Sequence, residues 1–183
     1  MMKPANKRPQ HLQIVPALRR HESILANLLM LYMHDFSEFC EIPISADGRF
    51  IYKGLSRYWN DPNRRTFLIK IDNELAGLVM LRRRCDTSDK KAYWEMTEFF
   101  VLRGYRRQGI GTVAVHEIWK QFTGQWKVYV MDSNKAACRF WTVAITRFTG
   151  KTIRAFHIEK DGKGWQLFSF EAEGAKSKNK FVN

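Results

Sequence analysis

The sequence predicts a mixed α+β fold, in which a central sheet is flanked by helices. Three observations support this class. Strand-like and helix-like segments are mixed along nearly the whole chain, no internal repeat is visible, and one apolar strand leads through a glycine-containing turn into an amphipathic helix. A length of 183 residues is typical of one domain, and a composition of 45% apolar residues can fill its core.

The first elements are a strand and a helix. Residues 12–18 are predicted to form the strand, and residues 20–33 the helix, with a second short helix near residues 34–39. The prediction of the long helix depends on apolar side chains that recur at spacings of three and four, namely Ile24, Leu25, Leu28, Leu31 and Tyr32.

The middle of the chain predicts a hairpin, a strand and a helix. Residues 66–71 and 75–82 are predicted to pair around Asp72-Asn73, which is a favourable turn dipeptide. Residues 92–101 form the next strand. The amphipathic segment 110–122 is predicted to be the helix that follows it.

The remaining elements are a strand, a helix and a closing hairpin. Residues 126–131 are predicted to be the strand, and residues 134–147 the helix, because Asn134 is well suited to cap its first turn. Residues 153–159 and 164–171 are predicted to pair around Asp161-Gly162.

Residues 106–111, with the sequence RRQGIG, form the most informative segment. Glycines at 109 and 111 let backbone N–H groups approach a ligand, and the start of the helix adds unpaired N–H donors with a partial positive charge. Arg103, Arg106 and Arg107 add full charges. The segment therefore predicts an anion site suited to a pyrophosphate.

Two common phosphate motifs are excluded at this segment. No Gly-Lys-Ser or Gly-Lys-Thr follows, as a P-loop requires, and no third glycine follows Gly109 and Gly111, as a dinucleotide-binding fold requires. The alternative interpretation is a glycine-containing turn whose arginines are simply solvated.

The spacing of Arg106, Gly109 and Gly111, with the order of elements over residues 12–172, resembles the GNAT superfamily of acetyl-CoA-dependent N-acetyltransferases. The resemblance implies a mostly antiparallel central sheet with flanking helices, and a splayed strand pair that holds the co-substrate. It implies an N-acetyltransferase domain over residues 11–172. Residues 1–10 and 173–183 are polar and basic, and are predicted to be flexible ends.

The resemblance also implies which residues hold acetyl-CoA. Phe100, Val101 and Leu102 would contact the pantetheine arm, with a backbone N–H near Val101 facing the thioester oxygen. The pyrophosphate would be held mostly by main chain at Arg106, Arg107, Gln108, Gly109, Ile110, Gly111 and Thr112. No metal ion is implied.

Two glutamates on the strand before the turn are candidates for the general base. Glu95 and Glu98 lie among aromatic residues, where desolvation raises the pKa of a carboxyl group. In a regular strand they would face opposite sides, and a bulge would change this. Family members carry glutamates at both positions, and Glu95 is the preferred candidate. The alternative is a structural glutamate paired with an arginine.

The general acid of the family is a tyrosine that follows an asparagine and an alanine on the penultimate helix. Asn134 and Ala137 match this pattern and are implied to lie beside the co-substrate, but Trp141 replaces the tyrosine. An indole N–H can donate a hydrogen bond but cannot protonate a thiolate at neutral pH. Tyr129 and Cys138 are substitutes, or the thiolate leaves without an acid.

The acceptor groove of the family is lined by the first helices and the loop after them. Here these supply Tyr32, Asp35, Phe36 and Glu38, followed by Phe39, Glu41, Phe50, Tyr52, Tyr58 and Trp59. Carboxylates among aromatic rings suit a cationic amine. Plain helix packing explains the same spacing of aromatic residues.

The predicted function is acetyl transfer from acetyl-CoA to a primary amine of a small cationic or peptide acceptor. One alternative acceptor is an RNA-associated amine, on a charged tRNA or a ribosomal protein, because the net charge is +13. A solvated basic face is preferred to nucleic-acid binding as the explanation of that charge. A second alternative is a non-catalytic acyl-CoA sensor, and a homodimer is compatible with the family.

Composition also predicts the cellular setting. Cys40, Cys85 and Cys138 are odd in number and widely spaced, which argues against a disulfide framework or a metal site and favours the cytoplasm. No secretory signal is visible, and no apolar run is long enough to span a membrane.

Overall fold

The computed structural model describes residues 11–87 and 90–173. Seven strands form one sheet: β1 (Leu12–Pro16), β2 (Arg64–Ile71), β3 (Glu74–Cys85), β4 (Ala92–Val101), β5 (Gly124–Met131), β6 (Phe156–Lys160) and β7 (Lys163–Ala172). Four helices flank it: α1 (Glu22–Phe36), α2 (Arg57–Asn60), α3 (Ile110–Gln121) and α4 (Lys135–Thr149). The predicted flexible ends were residues 1–10 and 173–183, and all of these except residue 173 lie outside the described residues.

The strand order is β1-β2-β3-β4-β5-β7-β6. β4 and β5 pair in parallel, and the other neighbours pair antiparallel. The predicted α+β class with a mostly antiparallel sheet is therefore confirmed. The parallel pair follows from the connection through α3, since parallel neighbours need a crossover.

Both predicted hairpins are present. Asp72 and Asn73 have φ values of 48° and 68°, and Asp161 and Gly162 have values of 52° and 67°. Two successive left-handed residues are the backbone of the turn that suits a tight hairpin. β6 begins at Phe156, later than the predicted residue 153.

The short helix predicted near residues 34–39 is wrong. Helix α1 continues without a break to Phe36, since no glycine or proline interrupts it and its apolar side chains keep their period. The short helix of this region is instead α2, one turn long, which sequence reasoning missed. Its Tyr58 is buried against the sheet and anchors it.

The core has one layer on each face of the sheet. Helices α3 and α4 cover one face, where Trp119 and Trp126 are fully buried. Helices α1 and α2 cover the other, where Leu25 and Leu29 pack with Met80 of β3. On this second face, α1 and α2 cover strands β2 to β4 and leave β5, β7 and β6 uncovered. The second half of β4 lies at the boundary between these two parts of the sheet, and the candidate site forms there.

Candidate active site

The ladder between β4 and β5 ends halfway along both strands. Four residue pairs join them, from Tyr93↔Gln125 to Met96↔Val128. Beyond these pairs the strands continue to Val101 and Met131 without pairing to each other. The backbone groups that face this gap therefore have no partner in the neighbouring strand.

A cleft of about 300 Å³ opens at this gap. It is bordered by α1, β4, β5, α4 and the β6–β7 hairpin, and its lining residues are Tyr32, Phe36, Glu95, Met96, Thr97, Glu98, Phe99, Val128, Tyr129, Val130, Met131, Asn134, Ala137, Trp141, Lys160 and Trp165.

Eight of the residues singled out from the sequence meet at this cleft: Tyr32, Phe36, Glu95, Glu98, Tyr129, Asn134, Ala137 and Trp141. Sequence reasoning missed Lys160 and Trp165. Both belong to the closing hairpin, and no local pattern connects that hairpin to the other lining residues.

The turn after β4 has the backbone that an anion site needs. Arg107 and Gly109 have φ values of 61° and 79°, both in the left-handed region. Gly109 immediately precedes α3, and a Cβ there would meet no atom within 4 Å. The approach to the start of α3 is therefore open.

The first N–H groups of α3 are free of helical partners. The N–H of Val113 is the first to bond within the helix, to the carbonyl of Gly109 at 3.1 Å. The N–H groups of Ile110, Gly111 and Thr112 therefore lack a partner inside α3 and carry the positive end of its dipole.

Packing leaves little room for a side chain at residue 111. A Cβ there would lie 3.2 Å from Cε2 of Phe140 and 3.7 Å from Cε1 of Phe99. These two rings are stacked, with centroids 5.6 Å apart and an angle of 8° between their planes. A side chain at residue 111 would press on the stack that joins β4 to α4.

Asp35 ties the end of α1 to the turn. The Arg103 guanidinium donates two hydrogen bonds to Asp35 Oδ1, at 2.6 and 3.0 Å, and Arg106 donates to Oδ2. Burial alone would raise the pKa of Asp35, but the bonds from both arginines bring it below its usual value. Arg106 Nε also donates to the Val101 carbonyl at 2.7 Å.

A β-bulge sets the direction of the two candidate bases. Pairing with β3 moves from Met80↔Glu98 to Leu81↔Met96, which leaves Thr97 as the extra residue. Glu98 then lies opposite Met80 and Glu95 opposite Arg82. Since Met80 and Arg82 are two residues apart on β3, both glutamates are on the same face of the sheet.

Glu95 is engaged by arginines. Its carboxylate accepts hydrogen bonds from Nη2 of Arg82 at 3.0 and 3.1 Å, and from Nη1 of Arg84 at 3.4 Å. On its other side lies Lys127, its register partner on β5, which is paired with Asp86 at 2.6 Å. This environment is that of a structural ion-pair network.

Glu98 is bonded by hydroxyl groups instead. Tyr52 Oη donates to Glu98 Oε1 at 2.8 Å. Burial raises the pKa of Glu98 to about 7, against the hydroxyls of Tyr32 and Tyr52, which favour the charged form, and with the charge of Glu95 adding to the rise. A carboxyl group with this pKa can exchange a proton near neutral pH.

Helix α4 starts at the cleft. Asn134 Oδ1 accepts a hydrogen bond from the Ala137 N–H at 2.9 Å, so Asn134 is the predicted N-cap. Trp141 is 5% exposed, and its ring meets those of Phe99 and Phe140 at centroid distances of 5.3 and 5.0 Å. Trp141 therefore shapes the floor of the cleft.

The two predicted substitutes for the acid are weak acids. Burial raises the pKa of the Tyr129 hydroxyl, which borders the cleft from β5. Burial also raises the pKa of the Cys138 thiol, whose Sγ lies 3.8 Å from the Met131 carbonyl.

The predicted acceptor residues divide into three groups. Tyr32 and Phe36 line the cleft and pack together, with centroids 5.6 Å apart. Asp35 is bound to the two arginines of the turn. Glu38 is exposed, three residues further on.

Within residues 11–87 and 90–173, no three His, Cys, Asp or Glu side chains are grouped so that they could hold a metal ion. Among the helices of the same ranges, none is long and apolar enough to cross a membrane.

Comparisons with known proteins show the family and the fold. A family model described as the acetyltransferase (GNAT) family matches residues 26–143. This range contains most of α1, the bulge, both glutamates, the turn and part of α4. No curated protein matches the chain in sequence.

Solved structures share the fold at low sequence identity. An acetyltransferase from Thermus thermophilus is 15% identical, with a TM-score of 0.61, over 90% of this chain and 99% of that one. NAA60 from Arabidopsis thaliana, solved with a bisubstrate analogue, is 15% identical, with a TM-score of 0.58, over 90% and 100%. A spermidine N-acetyltransferase from Vibrio cholerae, solved with CoA and spermine, is 14% identical, with a TM-score of 0.60, over 88% and 95%.

Proposed function

The chain belongs to the acetyltransferase (GNAT) family, and on that premise we propose that it transfers an acetyl group from acetyl-CoA to a primary amine, with Glu98 as the general base. The observation that carries the proposal is the position of Glu98. Its carboxyl group borders the cleft where β4 leaves β5, and its pKa is about 7.

The residues present fit acetyl-CoA. The free N–H groups of Ile110, Gly111 and Thr112, with the open approach at Gly109, suit a pyrophosphate. The unpaired edge of β4 from Phe99 to Val101 offers backbone groups to the amides of a pantetheine arm. When bound, acetyl-CoA supplies the acetyl group in activated form, as a thioester.

Glu98 is the better of the two bases on physical grounds. An amine enters as an ammonium ion and must lose a proton before its lone pair can attack a carbonyl carbon. The Glu98 carboxylate, with a pKa near 7, can accept that proton, whereas the Glu95 carboxylate is occupied by hydrogen bonds from Arg82 and Arg84. Glu95 would then keep the sheet face ordered.

The departing thiolate needs little help. Trp141 can donate a hydrogen bond from its indole but cannot release a proton at neutral pH. The raised pKa of Tyr129 makes it a poor acid as well. A thiol with an ordinary pKa of about 8.5 is a tolerable leaving group without an acid. The site therefore works mainly by positioning and by the base.

The acceptor is proposed to be a small amine or a peptide amine that enters beside Tyr32 and Phe36. The rings of these residues can stack on a cationic amine. Asp35 contributes little attraction for a cationic amine, because its carboxylate is already paired with Arg103 and Arg106. The identity of the amine is thus set mainly by shape and by ring contacts.

The test is a thiol-release assay with purified protein, acetyl-CoA and a panel that covers polyamines, amino acids, aminoglycosides and short peptides. We expect amine-dependent release with at least one acceptor class. Tight CoA binding by calorimetry without release for any amine would instead indicate an acyl-CoA sensor. Absence of CoA binding would overturn the proposal.

A further inference from the structure

We infer that Tyr52 is the positioning residue of the base, whose hydroxyl fixes the orientation of the Glu98 carboxylate and favours its ionised form. This inference rests on the proposed function. Tyr52 lies 46 residues before Glu98, in the irregular segment between α1 and α2, and donates to Glu98 Oε1 at 2.8 Å. A distant loop is thus bonded directly to the base.

The bulge that orients Glu98 is stabilised by Tyr58, a second tyrosine near Tyr52 in the chain. The Thr97 hydroxyl donates to the Met80 carbonyl at 2.9 Å, and its oxygen lies 2.7 Å from Tyr58 Oη. Because Thr97 has a single hydroxyl proton, Tyr58 must be the donor in the second bond. Tyr58 therefore stabilises the bulge, whereas Tyr52 contacts the carboxylate itself.

The groups that act on Glu98 are Tyr32 on α1, Tyr52 on the segment before α2, Tyr58 on α2 and Glu95 on β4, and Tyr129 of β5 lines the same cleft. Glu95 repels the charge on Glu98, and the hydroxyls of Tyr32 and Tyr52 stabilise it. Burial raises the pKa of both phenols, so they stay protonated and remain donors.

Loss of the Tyr52 hydroxyl has a specific consequence. A hydrogen bond to a carboxylate lowers the pKa of that group, so Tyr52→Phe should raise the pKa of Glu98 above its value of about 7. The acid limb of the profile of kcat/KM against pH should move up by about one unit, with about a tenfold loss of rate below the limb. The rate at high pH should recover.

The experiment compares Tyr52→Phe with Tyr58→Phe over the pH range of activity. Each change removes one phenolic hydroxyl, but of these two tyrosines only Tyr52 bonds to Glu98 directly. Tyr58→Phe should therefore lower the melting temperature and move the limb much less than Tyr52→Phe does. A carbon-13 titration of the Glu98 carboxyl group in both variants gives the same comparison without turnover.

A folded Tyr52→Phe protein with an unmoved limb and an unmoved carbon-13 titration would overturn the inference. Failure of the proposed function looks different. In that case Glu98→Gln would keep the wild-type rate, whereas failure of the present inference alone leaves the rate of Glu98→Gln strongly lowered.

Discussion

Glu95 and Glu98 lie on the same face of β4 because Thr97 forms a bulge between them. Their environments are nevertheless opposite. Glu95 is bound by Arg82 and Arg84, whereas Glu98 is bound by hydroxyls. The same strand therefore carries one carboxylate that is paired with arginines and one carboxyl group whose proton is exchangeable near neutral pH.

Substitution of the two glutamates should separate their roles. We expect Glu98→Gln to lower kcat by about 10²–10³-fold and to change the KM for acetyl-CoA by less than about threefold, because a base acts on the amine. Glu95→Gln should keep most of the rate and lower the melting temperature, since Arg82 loses its partner. Steady-state kinetics with calorimetry checks both. The reverse ranking of the two variants would make Glu95 the base.

The raised pKa of Glu98 also predicts a pH-dependent cost in stability. The folded protein binds this proton more tightly than the unfolded chain, so the free energy of unfolding falls as pH rises from 4.5 to about 7. Glu98→Gln removes that titration. The variant should gain stability over the wild type by on the order of 1–3 kcal/mol between about pH 4 and about pH 8. Urea unfolding of the variant and the wild type at both pH values measures their difference in the free energy of unfolding. A difference that is the same at both pH values would contradict the prediction.

Gly109 offers a direct test of the anion site. Gly109→Glu places a carboxylate and a strained backbone where a phosphate is proposed to bind, and should weaken CoA binding by more than about 100-fold. Gly109→Asn tolerates the left-handed backbone without a charge and should be milder. Gly150→Glu is the matched control, because Gly150 has a φ of 70° and open surroundings at the far end of α4. Calorimetry should show that the affinity of the Gly150→Glu variant for CoA is unchanged.

Asp35 is expected to affect the binding of acetyl-CoA rather than that of the amine. Asp35→Asn removes the charge that holds Arg103 and Arg106, so the turn loses its tie to α1 and the KM for acetyl-CoA should rise by about 3–10-fold. Glu38→Gln, an exposed acidic neighbour, serves as the control. If the KM for the amine rises while that for acetyl-CoA stays constant, Asp35 contacts the acceptor after all.

Local features were predictable because nearby residues determine them. The hairpin turns at Asp72-Asn73 and Asp161-Gly162, the cap at Asn134 and the start of α3 after Gly109 each depend on a few adjacent residues. The spacing of Arg106, Gly109 and Gly111, together with the order of elements over residues 12–172, was likewise sufficient to identify the family. The roles proposed for the site residues remain predictions.

Long-range contacts were not predictable from the same patterns. Nothing near Tyr52 indicates that it reaches Glu98, and nothing near Asp35 indicates that it binds Arg106. The preference for Glu95 likewise could not take into account Arg82 and Arg84, which reach it across the sheet from β3. A sequence pattern reports the period of a strand, but the partners of a side chain depend on the register of its neighbours.

The short ladder between β4 and β5 has one more consequence. Only four residue pairs of the ladder join β4 to β5, and the packing of Trp94 on Trp126 and of Phe99 on Trp141 adds contacts across the same boundary. Beyond the last pair, the distance between the two strand ends is set by side-chain packing and not by backbone hydrogen bonds. Substitutions among these aromatic residues are therefore expected to change the width of the cleft.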